Sequence, residues 1–129
     1  MKKGLKQMKY FNINNELFER FPYLLKKGEH NPEDLELAYY VFGNELLARE
    51  VRELLINDRS SPLLQKYFSF IEEMLSSNDK LVVELAIIGF IESLTNDGEI
   101  EALAQLYMGE KAKKAYDDLE RFWNRKDSE

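Results

Sequence analysis

The chain has no cysteine and a single histidine, His30. A disulfide framework, a thiolate metal site and a cysteine nucleophile are therefore impossible, and a zinc site built on several histidines cannot be assembled. A Ser-His-Asp arrangement would have only His30 to draw on. That residue stands in Gly28-Glu29-His30-Asn31-Pro32, which reads as a loop carrying a solvated imidazole. There is no glycine-rich phosphate loop and no dinucleotide fingerprint. Asn96-Asp97-Gly98-Glu99 begins like a calcium loop but lacks the alternating oxygen ligands and the closing glutamate, so it reads as a turn. Long apolar runs are missing too. The richest, Leu81 to Leu94, is interrupted by Glu84 and Glu92 and falls short of the ~20 residues that cross a bilayer. No apolar segment follows the basic start Met1-Lys2-Lys3-Gly4-Leu5-Lys6, so a signal peptide is not expected. These absences point to a soluble cytoplasmic protein without a cofactor and without catalysis.

What is present suits one folded domain. The 129 residues are 44% hydrophobic and 33% charged, enough to bury a core and too apolar for a disordered chain. The net charge of -6 is unevenly spread. Residues 1–27 carry seven Lys and Arg against two acids, residues 28–101 five against sixteen, and residues 102–129 six against six. The acidic middle repels nucleic acid and would steer a basic partner toward it.

The apolar spacing is helical throughout, with little period-two alternation. Residues 1–12 form a basic leader that is expected to be frayed, residues 13–125 a single helical domain, and residues 126–129 a polar tail. Asn14 or Asn15 can cap a short helix ending near Phe21, where Pro22 breaks it. A second helix is expected from Glu33 to Ile56, with Gly43 as an interruption. A third starts at Ser61 as N-cap with Pro62 in the first turn, and buries Leu64, Phe68, Ile71 and their neighbours. A fourth, Lys80 to Leu94, is apolar almost all round and is expected to be buried on several sides. Its Glu84 and Glu92 lie about 80° apart on the helix wheel and should mark one narrow buried edge. Thr95 to Gly98 turns the chain into a fifth helix, Glu99 to Met108, and a sixth follows from Glu110 to about Arg125. Tyr39, Tyr40, Phe42, Phe122 and Trp123 fall at core spacing. The architecture implied is all-α: six helices stacked as antiparallel hairpins, in a small solenoid of the HEAT or armadillo kind or an irregular bundle.

Carboxylates are the only abundant chemical groups. Glu45, Glu53, Glu72, Glu73, Asp97 and Glu99 are expected to be exposed in the acidic middle and are the candidates for contacting a partner. Glu92, in an otherwise apolar helix, must be paired, hydrogen-bonded or at the rim of a groove.

The segment Phe68-Ser69-Phe70-Ile71-Glu72-Glu73-Met74-Leu75, the turn from Ser76 to Lys80, and Val83 through Phe90-Ile91-Glu92-Ser93-Leu94 resemble a family of small bacterial immunity proteins. Those proteins accompany polymorphic toxins, including those of contact-dependent growth inhibition. Tyr40-Val41-Phe42-Gly43-Asn44 and the stretch from Met108-Gly109 to Phe122-Trp123 fit the same pattern, so the resemblance spans roughly residues 35–123. It implies an all-helical protein that binds and neutralises the C-terminal domain of a cognate toxin, often a nuclease with a basic cleft. A helical-repeat adaptor for another protein partner is the alternative.

Overall fold

Ser61 and Pro62 start the helix that organises the fold. The computed structural model describes residues 8–127, with side chains through Phe122, so Met1 to Gln7, the Trp123 side chain and the last two residues lie outside the described part. The Ser61 hydroxyl accepts a hydrogen bond from Leu63 N at 3.2 Å, and Pro62 gives up no backbone donor in the first turn. The helix that follows, Pro62–Leu75, is the fourth in chain order (α4). Before it come α1 (Ile13–Arg20), α2 (Ala38–Phe42) and α3 (Leu47–Asn57). After it come α5 (Lys80–Glu84), a π-helical segment (Leu85–Ile91) and α6 (Glu92–Leu94), which run on as one rod. Two further helices, α7 (Gly98–Gln105) and α8 (Glu110–Asp127), complete the all-α fold.

The six helical stretches expected from the sequence are present, with four changes of detail. The stretch from Glu33 to Ile56 is not one helix: a 3₁₀ turn at Asp34–Glu36 precedes α2, and residues 43–46 separate α2 from α3. The cause is close approach. A Cβ on Gly43 would stand 2.6 Å from the Tyr39 carbonyl oxygen and 3.4 Å from that of Gly89, so α2 crosses the π segment at backbone distance. The first helix is capped by neither Asn14 nor Asn15. Its N-cap is Asn12, whose side chain accepts instead from Lys9 N, while Asn14 Nδ2 donates to Leu35 O. The leader is docked from Met8 onward: Ser77 Oγ donates to Met8 O at 2.9 Å and Tyr10 N donates to Asp79 Oδ2 at 2.8 Å. Finally, the rod 80–94 is not covered on every side. Leu81 and Ile88 are 51% and 41% exposed, and Glu84 is exposed rather than a buried edge.

The core lies between α4, α3, α2 and the π segment. Phe42, Tyr67, Phe68, Phe70 and Phe90 are all buried, each worth roughly 1.5–3 kcal/mol by removal from water. Their rings meet at favourable offsets, Phe68 against Phe90 at 5.8 Å and Phe21 against Tyr67 at 4.7 Å between centroids. Successive helices pack on one another, α3 on α4 and α4 on α5, as hairpins do. Contacts of α4 with α8 and of α3 with α6 and α7 then close these hairpins into an irregular bundle.

Candidate protein-binding surface

The position of α8 is set by a single carboxylate. Glu72, on α4, accepts from Lys111 N at 3.2 Å and from Ala112 N at 2.7 Å, which satisfies two otherwise free amides in the first turn of α8. Gly109 makes the approach possible, because a Cβ there would lie 2.5 Å from Glu72 Cδ. Held in this way, α8 buries Ala112, Ala115 and Tyr116 against the bundle. Its next turn brings Leu119 and Glu120 opposite the turn that follows α6.

Between the two walls runs an open groove lined by Asn44, Glu92, Ser93, Asn96, Leu119 and Glu120, with Tyr116 and Thr95 completing it. The far wall is tied by Arg52, whose Nη2 donates to Asn44 Oδ1 at 2.9 Å and to Ser93 O at 3.0 Å. Tyr116 donates its hydroxyl proton to Glu101 Oε2 on α7. Burial and then that bond to a carboxylate push the Tyr116 hydroxyl well above its ordinary pKa. Glu120 is also raised, first by partial desolvation and then by the neighbouring Glu101 carboxylate. Among the described residues no Lys or Arg forms an ion pair with Glu101 or Glu120. Glu120 thus lines the groove with Glu101 beside it, just outside the lining, and the charge of Glu101 raises the pKa of Glu120.

A second acidic patch lies beyond Asn44, where Glu45, Arg49 and Glu53 surround a small depression with Lys27 and Glu50. Glu50 is buried. Its charge is matched by Lys27 Nζ at 3.1 Å and by the Tyr67 hydroxyl, which donates at 3.1 Å and is itself bonded to the hydroxyl of Tyr23. Burial first, then Tyr23 and Glu50, raise the Tyr67 hydroxyl far above its ordinary range.

A family described as Domain of unknown function (DUF7674) matches residues 14–124, most of the chain. The chain belongs to the DUF7674 family. Comparison with curated proteins and with solved structures gave no match.

This DUF7674 chain does not gather the six expected contact residues on one surface. Glu45 and Glu53 share the depression on α3, although Glu53 is also 3.5 Å from Arg49. Asp97 and Glu99 open α7, where Asp97 Oδ1 accepts from Glu99 N at 3.0 Å as an N-cap. Glu72 is half-buried and is committed to α8, and Glu73 forms a two-pronged pair with Arg20 at 2.8 Å. Neither is the free surface charge that the sequence suggests. Glu92 does stand in the groove, half-buried as a residue at a rim should be. His30 is not simply solvated: Nε2 donates to Lys27 O at 2.7 Å and Nδ1 meets the Tyr40 hydroxyl at 2.6 Å. Sequence reasoning missed Glu101, Tyr116 and Glu120 as a group. Tyr116 reads as core and the two glutamates as polar helix faces, and nothing local joins α7 to α8. Among the described residues no set of three His, Asp or Glu side chains is arranged to hold a metal, and no helix is long and apolar enough to cross a membrane.

Proposed function

We propose that this chain is an immunity protein that binds the C-terminal domain of a cognate bacterial toxin in the cytoplasm and neutralises it stoichiometrically, without catalysis of its own. The acidic groove receives a basic segment of the toxin. The observation that carries this reading is the pair Glu101 and Glu120, two adjacent carboxylates without a cation among the described residues. A Lys or Arg from a partner placed in the groove against Glu120, with Glu101 beside it, would turn a repulsion into charge-assisted contacts. The local sequence resemblance to immunity proteins supports the same reading, as does the excess of acids over bases in residues 28–101. Long-range attraction would steer the encounter, and Leu119 with the Tyr116 ring would supply a dry contact once the groove is filled.

The test is co-expression with the toxin domain encoded beside this chain, scored by cell survival and by co-purification at low and high salt. The expected result is rescue through a salt-sensitive complex, lost with Glu120→Lys while the helical circular dichroism is unchanged. Full protection by Glu120→Lys would remove the groove from the interface. Absence of both rescue and complex would overturn the immunity reading in favour of an adaptor with a different partner.

A further inference from the structure

The acidic groove is not the only surface that calls for a partner. On the outer side of the rod 80–94 lies a shallow trough lined by Ser77, Lys80, Val83, Glu84, Ile87 and Ile88. Leu81 extends it, and Tyr39 borders it where its ring packs against Gly89. Two of its aliphatic side chains, Leu81 and Ile88, are about half-exposed on a helix whose remaining faces meet α2, α3, α4 and α8. A contiguous apolar strip of this kind on an otherwise charged chain marks a contact surface.

Its charges say what would cover it. Lys80 and Glu84 are one helical turn apart, the spacing at which such residues commonly pair. Among the described residues neither forms an ion pair, with the other or with anything else. The strip therefore offers one free positive and one free negative charge flanking an apolar middle, and it is complementary to itself. A two-fold axis reverses the direction of the helix and repeats every contact. The trough runs from residue 77 to residue 88, so its midpoint falls between Val82 and Val83. With the axis there, Lys80 of one copy comes within about 1.5 Å, measured along the helix, of the level of Glu84 in the other. Across an interaxial distance of about 8–10 Å both side chains can span the gap. Val83 then meets its counterpart near the axis, and Ile87 and Ile88 lie toward the Ser77 end of the partner's trough.

We propose that this face binds a second copy of the chain, through an antiparallel, two-fold pairing of the rods with reciprocal Lys80–Glu84 ion pairs. One helical strip is small beside the roughly 800 Å² that each partner of a stable complex contributes, so the dimer is a weak one, populated at high protein concentration.

Sedimentation of the full chain over a wide concentration series tests the proposal. The wild type shifts from monomer to dimer as concentration rises. Lys80→Glu and Glu84→Lys each place like charges across the axis and weaken self-association by roughly tenfold or more. Mixed one to one, the two variants associate with each other, and the double exchange Lys80→Glu/Glu84→Lys restores the dimer. Both positions are exposed, and the circular dichroism spectrum and melting temperature report whether each variant is folded. A wild type that stays monomeric at every concentration overturns the second copy as occupant and leaves the strip to a different protein. Single variants that dimerise like the wild type, or a mixture that associates no better than its components, overturn the paired geometry.

Discussion

At Gly43 the backbone of α2 has no room for a methyl group. The obstacle is a carbonyl oxygen at 2.6 Å, which cannot rotate away as a side-chain end could. Gly43→Ala is expected to destabilise the fold by about 1–3 kcal/mol in urea denaturation, through distortion of the last turn of α2, to which the Tyr39 carbonyl belongs. Glu120 behaves in the opposite sense. Its carboxyl binds a proton more tightly in the folded chain, because of partial desolvation and the nearby Glu101 carboxylate. Ionising it therefore costs stability as the pH rises above the ordinary glutamate value of about 4.3. Glu120→Gln is expected to raise the denaturation midpoint at pH 7 and to leave it unchanged near pH 3. A variant less stable than the wild type at pH 7 would contradict this account of the Glu101–Glu120 pair.

Among the elements, α8 depends on a contact far away in sequence. Two of its first amides are bonded to Glu72, 39 and 40 residues earlier. Glu72→Ala is expected to cost roughly 0.5–2 kcal/mol, the usual loss for a helix cap, and to speed amide exchange in the first turn of α8. Glu73→Ala breaks only the exposed pair with Arg20 and should cost less than about 1 kcal/mol. Equal losses in the two variants would sink the capping role. The neighbours Glu72 and Glu73 thus look alike in sequence and differ in task. What is local is legible in the sequence: Ser61-Pro62 starts α4, a helix follows the turn at Thr95 to Gly98, and Ala112, Ala115 and Tyr116 of α8 are buried. Tyr39 and Phe122 also fall at core spacing but are about half-exposed. What depends on distant partners is not legible. Tyr39 of α2 packs against Gly89, Met8 is docked by Ser77, and no other described helix covers the exposed strip on the rod 80–94. A nearly all-apolar helix implies burial only if enough neighbours exist, and periodicity does not count neighbours.

Taken as a whole molecule, the chain separates its roles by region. The polar interior around Glu50 is closed on itself through Lys27, Tyr67 and Tyr23, so that its charge is unavailable to a partner. The acidic groove and the self-complementary strip lie on different parts of the surface. As proposed, one receives a basic protein and the other a second copy, so a charge change in one should leave the other intact. The acidic excess in residues 28–101 was visible in composition, but composition could not tell which carboxylates are already occupied. One wall of the groove comes from residues 44 and 92–96 and the other from residues 116–120. Synthesis proceeds from the N-terminus, so a growing chain displays the first wall alone until α8 emerges and docks on Glu72. A ribosome-bound chain stopped before Tyr116 has acidic residues but no cleft, and the groove is complete only when translation has passed α8.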